Sequence, residues 1–246
     1  MGHQYIFERT EMKFLLNGRQ YRELMNRLKS RFAIDEYGMT KILNIYYDTD
    51  DYLMVRRSQE KPAYKEKLRL RCYGIPEGDS AAFIEIKKKY DGVVYKRRAE
   101  MPYEKARAFL ATEPQNADSQ ILREVEYMKR LYGSLHPAMT ISYSRIAMYG
   151  LDDHEQRITF DSDIRYRTRQ LDLRNGYGGY GLLGKDEHLM EIKVAGALPM
   201  ELARLLSSLK IYKTSFSKYG EGYANMMAKE KVLPFGYYPD EQIAYA

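Results

Sequence analysis

Residues Lys65–Lys89 read K-E-K-L-R-L-R-C-Y-G, then I-P-E-G-D-S-A-A, then F-I-E-I-K-K-K. Successive side chains of a β-strand point to opposite faces. Lys65, Lys67, Arg69 and Arg71 therefore share one face, and Leu68, Leu70 and Cys72 share the other. Beyond the turn at Gly74–Asp79, Glu85, Lys87 and Lys89 share a face, and Ile84, Ile86 and Lys88 take the opposite one. The apolar face is ordinary core material. The charged face is unusual, because cations placed at every second residue repel one another. An anion lying across them removes that cost, and arginine forks suit phosphate oxygens while lysines add point charge. The plain alternative is a solvated outer face, which is what a half-buried antiparallel strand normally shows to water.

The chain has 246 residues, a formal net charge of +6 and 44% hydrophobic residues, enough to build a core. This length accommodates one large domain or two small ones. A basic balance favours anionic partners. No apolar run approaches membrane-spanning length, and the N-terminus lacks a signal peptide's apolar segment. The single cysteine, Cys72, excludes an internal disulfide framework and suits a reducing, cytoplasmic setting. Its place on an apolar strand face makes it a packing residue. The histidines His3, His136, His154 and His188 have no ligand spacing, which argues against zinc. A metal would be held by carboxylate and phosphate oxygens, pointing to Mg²⁺ or Mn²⁺.

Along the chain, Ile6–Leu16 reads as a strand with Arg9, Glu11 and Lys13 on one face. Asn17 caps an amphipathic helix over 18–31, striped by Tyr21, Leu24, Met25 and Leu28. Lys41–Tyr47 is a strand closed by a turn at Asp48–Asp51, and Leu53–Arg57 reads as a short strand. Asp91-Gly92 between two strand patterns signals a hairpin returning through Val93–Met101, which carries Lys96, Arg97 and Arg98. A helix is expected near 103–111, and Ser119 caps another through about Leu131. Met139–Tyr149, Arg157–Tyr166 and Leu189–Val194 are strands. Gly176–Gly184 reads as a flexible connection, since it lacks the setting of a phosphate-cradling loop. Pro199 opens a leucine-striped helix, and a last helix starts at Gly220 or Gly222.

The pattern Glu-x-Lys recurs in three separate strands, as Glu11-Met12-Lys13, Glu85-Ile86-Lys87 and Glu191-Ile192-Lys193. With Arg69-x-Arg71 and Tyr143-x-Arg145, many strands each offer one apolar and one charged face. If the charged faces turn inward, the apolar faces need an outer layer, and the amphipathic helices supply it.

The run Y-Y-D-T-D-D-Y-L (Tyr46–Leu53), followed by L-R-L-R (Leu68–Arg71) and flanked by Glu-x-Lys pairs, resembles the CYTH or triphosphate-tunnel superfamily. Within it, F-I-E-I-K-K-K, Y-S-R (Tyr143–Arg145), R-I-T-F-D (Arg157–Asp161) and S-F-S-K-Y (Ser215–Tyr219) resemble the VTC polyphosphate polymerase domain. The resemblance spans about residues 6–223 and implies a single domain over 1–246, with its core over about 6–223 and a C-terminal helix and tail over 220–246. It implies an α+β fold, an antiparallel β-barrel tunnel of about eight strands with a polar, basic lumen and helices packed outside. It implies that Lys13, Arg69, Arg71, Lys87, Arg145, Lys193 and Lys218 grip phosphates, with Arg69, Arg71, Lys87, Arg145 and Lys193 at the catalytic centre. Tyr143 and Ser215 would add hydroxyl contacts, and Glu191 would hold Mn²⁺ or Mg²⁺. Lys67, Arg157, Glu11, Glu85 and Asp161 face the same way by strand parity, with less defined roles. Many tunnel hydrolases begin Glu-x-Glu-x-Lys, whereas this chain has Arg9-Thr10-Glu11-Met12-Lys13, which leans toward the polymerase-like branch.

The expected activity is transfer of the ATP γ-phosphate to a growing polyphosphate chain. The rivals are a triphosphate hydrolase on the same scaffold and a non-catalytic polyanion-binding module. Nucleic acid is not an expected partner, since no recognition helix or aromatic-flanked single-strand motif stands out. Eukaryotic members of the family also carry membrane helices, and with none read here, coupling to transport would require association with a separate membrane protein.

Overall fold

The computed structural model describes residues 9–91, 93–112, 117 and 119–232. The expected strand residues Ile6–Glu8, the hairpin residue Gly92 and the tail beyond Val232 lie outside them. The elements are β1 (Arg9–Leu16), α1 (Gly18–Leu28), β2 (Phe32–Asp48), α2 (Leu53–Gln59), β3 (Tyr64–Tyr73), β4 (Ala81–Tyr90) and β5 (Val93–Pro102). They continue with α3 (Tyr103–Ala111), α4 (Gln120–Tyr132), β6 (His136–Gly150), β7 (Arg157–Arg167), a 3-10 turn at Leu173–Asn175 and β8 (Tyr180–Gly181). The last are β9 (His188–Ala195), α5 (Met200–Ser208), β10 (Lys213–Thr214) and α6 (Lys218–Val232). The strands form a ten-stranded sheet in the open order β10-β1-β9-β7-β6-β2-β3-β4-β5, with β8 on β7. The chain is thus the expected antiparallel α+β fold. It has more than the eight or so strands expected because β8 and β10 are two-residue pieces.

The chain divides into two compact units, and β2, β6 and β7 run from one into the other. The first unit comprises residues 1–40, 144–164 and 183–216. Its β1 and β9 bury Met12, Phe14, Leu16, Met190, Ile192 and Val194 against Leu24 and Leu28 of α1 and Leu202 and Leu206 of α5. The second comprises 41–143, 165–182 and 217–246. There Leu68, Leu70, Cys72, Ile84 and Ile86 pack with Ala106 and Leu110 of α3 and Val125 and Met128 of α4. In each unit the helices cover the apolar strand faces, so the charged faces lie on the other side of the sheet. Cys72 is buried, and burial pushes its thiol up to about 12, which leaves it a packing residue.

Local chemistry accounts for the boundaries. Asn17 and Gln20 form a reciprocal capping box at the start of α1, and Ser119 Oγ accepts from Leu122 N at 3.2 Å at the start of α4. The segment Leu53–Arg57 is helix, not strand. The Asp48 carboxylate accepts from Met54 N at 2.8 Å and Val55 N at 3.0 Å, and Thr49 Oγ1 accepts from Leu53 N at 2.9 Å. Three otherwise orphaned helix donors are satisfied in this way, which a five-residue hydrophobicity pattern cannot reveal. The last helix begins at Lys218, ahead of Gly220, because Ser217 accepts there: Gly220 N donates to its Oγ at 3.2 Å and Glu221 N to its carbonyl at 2.7 Å.

Candidate phosphate-binding faces

In the second unit, register sets the charged face. Across β3 and β4, Lys65 lies opposite Lys89, Lys67 opposite Lys87 and Arg69 opposite Glu85. Tyr90 pairs with Val93, leaving a two-residue turn in which Asp91 takes φ +43°. That turn places Lys96 opposite Lys87 and Arg98 opposite Glu85. β2 adds Asn44 opposite Arg71 and Tyr46 opposite Arg69.

Glu85 organises this face. Its side chain is 1% exposed, and its carboxylate takes Arg69 Nε at 2.7 Å, Lys96 Nζ at 2.9 Å and Arg98 Nη2 at 2.8 Å, with Arg71 Nε at 3.6 Å. Burial opposes its ionisation, but the charges of Arg69, Arg71 and Lys96 outweigh that and hold the carboxyl far below the usual carboxylate range. Arg71 is 5% exposed; its Nε donates to Asn44 Oδ1 at 2.9 Å and its Nη2 to Tyr143 Oη at 3.2 Å. Asn44 is fixed in turn by donating to the Ile141 carbonyl at 2.9 Å. Lys67 Nζ donates to Ser217 Oγ at 2.9 Å, and Lys218 Nζ lies 4.7 Å from the centre of the Tyr143 ring. Lys65 is easier to deprotonate than an ordinary lysine, first through burial and then through repulsion from Lys89, Lys61 and Lys87. One carboxylate thus spaces the arginines while the surrounding lysines keep the face strongly positive.

The charged face of the first unit is more balanced. Lys13 lies opposite Glu191 and Glu11 opposite Lys193, and Arg157 and Thr159 on β7 lie opposite Lys193 and Glu191. Lys13 Nζ donates to the Phe216 carbonyl at 2.9 Å and sits 3.7 Å from both Glu11 and Glu191. Arg145 forks onto Asp161, with Nε and Nη2 at 2.6 and 2.7 Å from the two carboxylate oxygens. Asp161 is fully buried, so part of the Arg145 fork expected to face phosphate is held by protein. Arg157 rests over the Tyr149 ring, its guanidinium carbon 5.8 Å from the ring centre.

Among the described residues no cluster of three or more His, Cys, Asp or Glu side chains forms a metal cage. The donors near Glu191 are nevertheless hard oxygens. Glu11 and Glu191 flank Lys13, and the buried Thr159 hydroxyl, across the ladder from Glu191, has no hydrogen-bond partner among the described residues. That set suits Mg²⁺ or Mn²⁺ when phosphate oxygens complete the coordination.

The sequence-derived residues therefore fall into two groups. Lys67, Arg69, Arg71, Glu85, Lys87, Tyr143 and Lys218 belong to the second unit, and Glu11, Lys13, Arg145, Arg157, Asp161, Glu191, Lys193 and Ser215 to the first. Ser215 is exposed, and the serine that meets a cation is Ser217. Ser217→Ala is accordingly expected to weaken binding of inorganic tripolyphosphate several-fold, and Ser215→Ala to leave it unchanged; titration calorimetry separates the two. Sequence reasoning named Lys96 and Arg98 on the return strand but left them out of the site, although counting on from the Asp91-Gly92 turn puts both on the charged face. It also missed Asn44 and Tyr46, whose register against β3 no short turn sets.

Against solved structures, a proposed adenylyl cyclase from Hippeastrum, described as having a dominant triphosphatase activity, superposes with a TM-score of 0.51 at 13% identity. The match covers 87% of this chain and 95% of that one. The PH1819 protein from Pyrococcus horikoshii OT3 gives 0.44 at 14% identity, covering 90% and 99%. At such identities the first likeness is one of fold. No curated protein matches the chain. The VTC domain family matches residues 8–227, which takes in every strand of the sheet and both charged faces, and the chain belongs to that family.

Proposed function

We propose that the protein is a metal-dependent phosphotransferase that moves the γ-phosphoryl group of ATP onto the end of a growing polyphosphate chain. The observation that supports this reading most is the pair Arg69 and Arg71, held by Glu85, Asn44 and Tyr143 on a face with surplus lysines. Phosphoryl transfer asks a protein mainly for positioning and charge stabilisation. Preformed guanidinium forks on buried scaffolds supply both without reorganising when the substrate arrives.

In this reading Arg69, Arg71, Lys87, Lys96 and Lys67 spread the charge that develops on the γ-phosphoryl oxygens. Lys218, of the same unit, binds a further phosphate, and Lys13, Lys193, Arg157 and Arg145 make the charged face of the first unit a phosphate-binding face in its own right. Glu191, with Glu11 beside it, would hold a divalent ion, which would supply charge neutralisation to phosphate oxygens. The bond between the γ-phosphorus and the β–γ bridging oxygen breaks, and ADP leaves with that oxygen. A bond forms from the γ-phosphorus to a terminal oxygen of the acceptor chain. The acceptor is already anionic, so no protein nucleophile is needed. Arg9, at the position where many tunnel hydrolases carry a carboxylate, removes one candidate for orienting water.

Incubation with ATP and Mn²⁺ is expected to produce polyphosphate, resolved as a ladder on a gel. Orthophosphate without polymer would instead make the protein a hydrolase. Salt-sensitive polyanion binding with no turnover would make it a binding module.

A further inference from the structure

Tyr46 lies in the middle of the cationic face, and its hydroxyl is incompletely used. Its oxygen accepts from Arg69 Nη1 at 3.0 Å. Its own proton meets no acceptor among the described residues, although the side chain is only 6% exposed. A buried donor left unmet costs free energy, and native structures rarely leave one without a reason. The ring is also held still. It stacks on Tyr219 with centroids 4.6 Å apart and planes 10° from parallel, and Tyr219 Oη donates to Asp48 Oδ2 at 2.8 Å. A fixed phenol whose oxygen takes an arginine and whose proton has no acceptor among the described residues is a preformed donor for an oxyanion.

We propose that Tyr46 is a phosphate-binding residue of this face: while Arg69 donates to its oxygen, the Tyr46 hydroxyl gives its proton to an oxygen of the bound phosphate chain. The proposal rests on the reading of this face as the phosphate site and adds a proton to it. The groups facing Tyr46 are Lys67, Arg69 and Arg71 from β3, Glu85 from β4 behind Arg69, Asp48 on its own strand, and Tyr219 from α6. Burial raises the phenol, but the charges of Arg69, Lys67 and Arg71 and the Arg69 hydrogen bond outweigh it and bring the phenol down to about 8. A phosphate chain on the face reverses that balance. Bound anion therefore holds Tyr46 protonated, and a phenolate at this position repels the anion, by reciprocity of the two equilibria.

The test uses the full chain and inorganic tripolyphosphate, titrated calorimetrically between pH 6.5 and 9.5, with Tyr46→Phe compared at each pH. Phenylalanine keeps the stack on Tyr219, and a thermal melt checks that the variant is folded. Near pH 7 the variant is expected to bind about tenfold more weakly, the usual worth of a hydrogen bond to a charged group. By pH 9 the wild type is expected to lose about tenfold relative to the variant, as one group one unit above its midpoint requires, closing the gap. In the wild type alone, tyrosinate absorbance is expected to show one phenol titrating near pH 8 that saturating tripolyphosphate suppresses. A variant that tracks the wild type at every pH, or a low-titrating phenol that the anion leaves untouched, overturns the role of Tyr46. If Arg69→Ala abolishes binding in the same series, the site itself stands while Tyr46 falls. If the wild type does not bind tripolyphosphate at pH 7, both readings fall together.

Discussion

Glu85→Ala is expected to lower the stability of the ligand-free protein by about 3–5 kcal/mol, the usual cost of removing one partner from a buried ion pair. The residue is the counter-ion for Arg69, Arg71, Lys96 and Arg98 at once. Without it those cations face one another across neighbouring strands. Urea denaturation at pH 7 measures the loss. Saturating tripolyphosphate is expected to return a large part of it, because an anion that binds only the folded state stabilises it by mass action, here by standing in for the missing carboxylate. The acid limb carries the same information. The Glu85 carboxyl is depressed in the folded state, so its contribution is fully present above the ordinary carboxylate value of 4.5 and is lost as pH falls below it. Glu85→Gln should show a correspondingly flatter decline in stability on acidification. A variant as stable as the wild type, with an unaltered acid limb, would show that Glu85 does not organise the face.

The Arg69→Ala/Arg71→Ala double variant is expected to lose polymer formation by at least about a thousandfold, since removing one preorganised donor to a developing oxyanion typically costs 10²–10³ in rate. The fold is expected to survive, because Lys96 and Arg98 still compensate Glu85 and the apolar side of β3 is untouched. Loss of activity with a cooperative melting transition retained, even at a lower midpoint, would therefore localise the defect to the charged face. Lysine at either position restores charge without the fork, so it should recover binding better than turnover. Polymer formation at the wild-type rate by the double variant would remove the basis for the proposed chemistry.

Much of this was legible in the amino-acid order. Period-two alternation in Lys65–Arg71 and Phe83–Lys89 separates a face for Leu68, Leu70, Ile84 and Ile86 from one for the cations, and leucine stripes at helical spacing mark α1 and α5. What alternation cannot supply is which side chain answers which. Arg145 reads as a free phosphate ligand until Asp161, sixteen residues on, is seen holding its fork. Ser215 and Ser217 look alike in the string S-F-S-K-Y. Only the folded chain shows that the second receives Lys67 and starts α6. Leu53–Arg57 reads as strand because its helix depends on Asp48 and Thr49 just outside the window. Tyr46 and Asn44 depend on a pairing closed through α2, and no turn residue announces that register.

The pairing of β1 with β9 carries a consequence for biosynthesis. Met12 lies opposite Ile192 and Phe14 opposite Met190, so β1 waits on the ribosome for a partner strand made about 180 residues later. At ~5–20 residues per second the wait is roughly ten to forty seconds. Throughout it Met12, Phe14 and Leu16 have only α1, of their eventual apolar neighbours on α1, β9 and α5, to lie against. A nascent chain with such an edge invites chaperone capture, and overexpression without one should favour inclusion bodies over folded protein.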